Sequence, residues 1–164
     1  MGQYGAKKAE FFAAVLEGVL ITVAALMTAV PGSDGVTVAH HIADFFVSIA
    51  NVNTFPVVIG AYSAVLGFFV PSGGGKWIVE APYVLQAAIA HQVHLGWVVQ
   101  IYNVAEAMPN LVNPFWMLPL LGILRVKARD LIGYTTLYLM ALLPVVFFLC
   151  WFFARTLDFV PPMK

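Results

Sequence analysis

Charge is the scarcest feature of this sequence. Its 164 residues include eight Lys or Arg and eight Asp or Glu, 10% of the chain, with a formal net charge of zero. An average soluble domain carries about 25% charged residues. No basic stripe is present, so nothing in the sequence points to a nucleic-acid partner. Cysteine is nearly absent too. Cys150 stands alone in an apolar run, so no internal disulfide can form and the thiol is assigned to packing.

Sites for chemistry are missing as well. His40, His41 and Asp44 share a short stretch, but adjacent histidines project about 100° apart on a helix and no third ligand accompanies them. His91 and His94 read as interfacial residues, and the four histidines of the chain are too few for a histidine-rich metal site. Gly73-Gly74-Gly75-Lys76 resembles a phosphate loop only superficially. Val70 stands where the first glycine should be, and Trp77 follows the lysine where Ser or Thr is required. Ser72 lacks a Gly-x-Ser-x-Gly context, and Asp44, Glu80, Glu106, Asp130 and Asp158 are scattered. The chain is read as a non-enzyme without metal or cofactor.

Apolar sequence fills the space. The chain is 62% hydrophobic with mean hydropathy +0.90, the composition of an all-α integral membrane protein. Its organising stretch is Val70-Pro71-Ser72-Gly73-Gly74-Gly75-Lys76-Trp77. Pro71 ends any helix arriving from the N-terminal side. The glycines free the backbone for positive φ or close approach. A helix beginning after them presents unpaired N–H groups, which attract anions. Lipid satisfies no such backbone, so a break at membrane depth is buried in protein or lines a wet cavity.

In chain order, 11–30 is long enough to span, at roughly 20 residues, and carries Glu17. Lys7 and Lys8 before so long an apolar run suit a spanning helix better than a cleaved signal. Pro31 to Gly35 is a turn, and 36–52 has the spacing of an amphipathic helix. Residues 53–90 place two short apolar arms around the glycine tip, as a re-entrant hairpin does. Lys76 reads as a marker of the hairpin's aqueous mouth. Residues 96–124 form a discontinuous helix, interrupted by two Asn and two Pro between Met108 and Pro114. Residues 131–154 form the final spanning helix. Arg125, Lys127 and Arg129 put the preceding loop on the cytoplasmic side.

The two breaks together form a carboxylate site. Backbone N–H groups of Gly73, Gly74 and Gly75, the Ser72 hydroxyl and the Asn110 and Asn113 amides are the candidate substrate contacts. Glu106 and Glu80 are the candidates for a coupling cation, H+ or Na+.

Three blocks then carry a family resemblance. They are Phe69 to Trp77; Asn113-Pro114-Phe115-Trp116 with Leu118 to Ile123; and Lys127-Ala128-Arg129-Asp130 with Gly133-Tyr134. Their order and spacing resemble the bacterial short-chain fatty acid transporter family over roughly residues 44–153. The resemblance implies a secondary carrier of short-chain monocarboxylates such as acetoacetate or butyrate in the bacterial inner membrane. It also implies multi-pass topology and an ion-coupled architecture of inverted repeats. Family members are much longer, so residues 1–164 correspond to a single membrane domain, the C-terminal repeat. Its partner is then a missing N-terminal repeat or a second copy of the chain. Ala105-Glu106-Ala107-Met108 keeps the family's acid and lacks its aromatic residue. Two alternatives remain: a carrier of another anionic solute such as a dicarboxylate, and a non-transporting membrane assembly subunit.

Overall fold

Helix boundaries follow the punctuation of the sequence. A computed structural model describes the backbone of residues 2–70 and 72–162, and the side chains of these except 2–10, 12–13, 114–115 and 118–120. Helix α1 spans Gly2–Ala29 and stops at the Pro31 turn, where Gly35 takes φ 77°. The Val36 N–H donates to the Asp34 carboxylate, and this bond, with His41 beside it, holds Asp34 below the usual carboxylate range. Thr37 caps α2 (Val38–Ile49) by accepting from the His40 N–H. Thr54 and Pro56 open α3 (Phe55–Phe69), and α4 follows over Gly73–Ala90. His94 caps α5 (Leu95–Ala107) by accepting from the Trp97 N–H. A 3-10 turn over Pro109–Leu111 precedes α6 (Pro114–Leu124), and α7 runs from Ala128 to Ala154. Among the described residues all regular structure is helical, apart from an isolated bridge between Pro31 and Thr37.

Helices α3 and α4 run antiparallel. Phe55 meets His91, the Tyr62 hydroxyl bonds that of Tyr83 at 2.8 Å, and Ser63 bonds Glu80. The pair is sandwiched, with α3 packed mainly on α5 and α4 on α1 and α2. Phe46, Phe55, Ile59, Tyr83, Val84 and Ile101 fill the core between them. A Cβ on Gly60 would lie 3.2 Å from Phe147 and 3.4 Å from Ile101, the close helix approach that small residues allow in membrane proteins.

Helix α7 differs from the rest. It is the one helix among the described residues long and apolar enough to cross a membrane, and 6% of its apolar stretch is buried in the chain. The N-terminal apolar run appears as the shorter stretch Ala14–Ala29. Trp97 donates to the Cys150 carbonyl at 3.0 Å, and Arg155 bonds Asn53 at 2.6 Å, which pins the end of α7 to the start of α3.

Three of the four histidines have polar partners in the fold, while His91 Nε2 is buried without a hydrogen bond among the described residues. His41 pairs with Asp34 at 2.8 Å, His40 lies 3.7 Å from Asp44, and His94 is a cap. No cluster of metal ligands occurs among the described residues.

Candidate functional site

The first turn of α4 lies beside the interruption between α5 and α6. The two breaks meet through glycine. A Cβ on Gly67 would stand 2.8 Å from the Pro109 ring and 3.4 Å from the Glu106 carbonyl oxygen, and one on Gly73 would stand 3.3 Å from Glu106 Oε2. The Tyr102 hydroxyl donates to the Gly73 carbonyl, and Trp77 rests on the Tyr102 ring at 4.5 Å. Without side chains, Gly67 and Gly73 let α3, α4 and the α5–α6 break approach this closely.

Of the two reasons expected for the glycine triplet, close approach holds at Gly73 and Gly75, while positive φ does not, and the helix expected after Gly75 starts at Gly73. Gly73, Gly74 and Gly75 form the first turn of α4, and the positive-φ glycine of the described residues is Gly35. The need for glycine here is contact. Gly75 packs against Leu20, with 2.8 Å between its would-be Cβ and the Leu20 methyl, whereas Gly74 faces open space. Ser72 stands at the N-cap position, but its side chain makes no capping bond. Pro71, expected to end α3, lies outside the described residues.

Lys76 also departs from expectation. It does not mark an aqueous mouth: it is 2% exposed, and Glu80 beside it is 1% exposed. Its Nζ donates to the Ser63 carbonyl at 3.0 Å, to Ser63 Oγ at 2.7 Å and to Glu80 Oε1 at 3.0 Å. Ser63 Oγ in turn donates to Glu80 Oε2 at 2.9 Å. The three ammonium protons and both carboxylate oxygens therefore have partners, and the Tyr102 ring lies 4.5 Å from Nζ. Desolvating such a pair costs several kcal/mol per ion, which only good geometry repays. Apolar residues of similar volume often replace such a pair without loss of stability.

Glu106 is placed differently. Half-buried on α5, it faces Gly73 and interacts electrostatically with Lys76 and Glu80. Its carboxylate has neither a hydrogen bond nor an ion pair among the described residues. Asn113 is buried, and the Asn110 side-chain oxygen is buried without a hydrogen-bond partner. The structure thus brings Gly73, Glu106, Lys76 and Glu80 into one cluster, with Ser72, Gly74 and Gly75 on the same turn. Asn110 and Asn113 belong to the adjoining break between α5 and α6. Ser63 is the member that sequence alone did not suggest, because its place depends on the register of α3 against α4.

A family model described as short chain fatty acid transporter matches residues 14–154. Two curated relatives carry the name "Putative short-chain fatty acid transporter". The one from Escherichia coli (strain K12) is 43% identical over 93 residues, 57% of this chain and 21% of its own length. The one from Haemophilus influenzae (strain ATCC 51907 / DSM 11121 / KW20 / Rd) is 38% identical over 104 residues, 63% of this chain and 23% of its own length. The chain spans about a fifth of the length of these relatives. No solved structure matches it. With the family model covering the helices that build the cluster, the chain belongs to the short-chain fatty acid transporter family, a family of membrane transporters and not of enzymes.

Proposed function

We propose that the chain supplies one side of the substrate path in a secondary carrier of short-chain monocarboxylates, such as butyrate or acetoacetate, in the bacterial inner membrane. The observation that carries the reading is the family match across residues 14–154. The first-turn N–H groups of Gly73, Gly74 and Gly75, the Ser72 hydroxyl and the Asn110 and Asn113 amides would hold the carboxylate. Glu106 and Glu80 would serve the coupling ion, H+ or Na+. The other side of the path would come from the missing repeat or from a second copy, in a multi-pass assembly.

Depth supports a re-entrant hairpin. Phe68, near the tip, lines the same cavity as Pro109 and Leu139. Leu139 lies about 17 Å from the start of α7 and about 23 Å from its end, at 1.5 Å per helical residue. If α7 crosses the bilayer, the tip stops near mid-depth, where carriers of this kind place their sites. Lys76 is the buried cation among the described residues, and Glu80 neutralises it. So little spare positive charge favours one carboxylate on the substrate over two.

A chimera tests this reading. The chain replaces the matching stretch of the E. coli relative, and uptake of labelled butyrate is measured in proteoliposomes. Saturable uptake that unlabelled butyrate inhibits and succinate does not is expected. Equal inhibition by succinate would move the reading to dicarboxylates. Correctly inserted chimera without uptake, beside an active parent, would leave the assembly-subunit reading.

A further inference from the structure

A buried ion pair is a poor source of stability, so the pair of Lys76 and Glu80 calls for another reason. What distinguishes it is convergence. Three oxygens close on one nitrogen: the Ser63 carbonyl at 3.0 Å, Ser63 Oγ at 2.7 Å and Glu80 Oε1 at 3.0 Å. The Tyr102 ring covers a further side, 4.5 Å from Nζ. Ser63 Oγ also donates to Glu80 Oε2 at 2.9 Å, which fixes the carboxylate from its other oxygen. Every side-chain polar atom of the group is used, and Ser63, Lys76 and Glu80 are each at most 2% exposed. The spacing suits an ammonium, whose charge-assisted bonds run at roughly 2.7–2.9 Å. Calcium and magnesium draw their oxygens closer, to roughly 2.3–2.6 Å and 2.0–2.1 Å.

Position gives this cage its work. Phe55 and His91 meet at the base of the hairpin of α3 and α4, and Tyr62 meets Tyr83 further along. Ser63, Lys76 and Glu80 join the two arms nearest the tip. Tyr102 of α5 holds the same turn twice, by its hydroxyl on the Gly73 carbonyl and by its ring on the Lys76 ammonium. One nitrogen therefore ties α3, α4 and α5 together, beside the places where Gly67 meets Pro109 and Gly73 meets Glu106.

We propose that Lys76 is a built-in monovalent cation that positions the hairpin tip. Its ammonium fills an oxygen cage between α3 and α4, and with the lysine stem removed the cage takes a free primary ammonium ion. Glu80 then belongs to the cage and leaves the set of coupling-ion groups. That last consequence alone rests on the carrier reading. Lys76 is a positioning residue: it acts through the place it gives to Gly73 and its neighbours.

Lys76→Ala opens the cage and leaves Glu80 without its counter-ion. The 164-residue chain with this change is purified in methylammonium chloride, placed in lipid nanodiscs, and compared in that salt and in tetramethylammonium chloride. The second salt matches the ionic strength but has no N–H to donate. Exchange into it is expected to lower the Tm by about 10 °C. It should also mobilise a spin label on Gly74→Cys, a position that faces open space. Return to methylammonium should reverse both changes. Lys76→Ala combined with Glu80→Gln should fold and should not respond to methylammonium, because no charge draws the cation in. Lys76→Arg fills the space with a planar fork, so its label should stay mobile in both salts. Identical behaviour of Lys76→Ala in the two salts, folded or unfolded, overturns the proposal, as does a rescue that survives Glu80→Gln. A Tm that responds while the label does not refutes the positioning role. The carrier reading is judged apart from this, on butyrate uptake by the chimera, so each can fail without the other.

Discussion

Gly67 and Gly74 separate two uses of glycine in one protein. At Gly67 an added methyl group would meet the Pro109 ring at 2.8 Å and Glu106 backbone atoms from 3.4 Å. Neither neighbour can rotate away, so Gly67→Ala should destabilise by about 1–3 kcal/mol, as overpacking does. Gly74 has nothing within 4 Å of the same probe atom. Gly74→Ala should therefore be neutral or slightly stabilising, since alanine is favoured over glycine in helices by about 1 kcal/mol. Thermal unfolding of the two variants in detergent checks the order. Gly74→Val should likewise leave membrane insertion intact. If it abolishes butyrate uptake in the chimera, open Gly74 is where substrate approaches. Normal uptake would move the site toward Asn110 and Asn113. The sequence marked these glycines but not their reason. Three successive glycines are poor helix formers by local preference, yet they open α4, with Gly73 against Glu106 and Gly75 against Leu20, neighbours distant in sequence. Lys76 misled for a related cause. Its partner Glu80 is visible as an i,i+4 pair, but Ser63 enters only once α3 and α4 are in register.

Helix ends were more legible than helix neighbours, because Pro, Gly and capping side chains act locally. The Pro31 turn, the Thr54-Phe55-Pro56 start and the interruption from Met108 to Pro114 all bound helices in the structure. Packing order was not legible. Nothing local says that α3 packs mainly on α5, or that the end of α7 is tied to Asn53 by Arg155. The exposed apolar surface of α7 supports a prediction about this element alone. Cysteine placed at Arg129 and at Asp158 should react with an impermeant maleimide from opposite faces, Arg129 from the cytoplasmic side, where basic loops reside. Cys150 is 3% exposed, so the native thiol should stay silent. Labelling of both positions from one face would refute α7 as a spanning helix.

For the molecule taken whole, the carrier we propose would need in pairs the parts that the described residues hold once. The chain has one helical hairpin, α3 with α4, and one interrupted helix, α5 to α6. Substrate sites in such carriers lie between two repeats, and alternating access comes from one repeat rocking against the other. In the carrier we propose, a single repeat would lack the second wall that closes the site behind its substrate. The long apolar face of α7, almost unburied within the chain, leaves room for lipid or for that second wall. Proteoliposomes containing only this chain should therefore show no saturable butyrate uptake. Supplying the unmatched remainder of the E. coli relative as a separate polypeptide should restore uptake. Robust, saturable uptake by the isolated chain would instead identify a second copy as the missing wall, and cross-linking across the α7 face would show whether the two copies meet there.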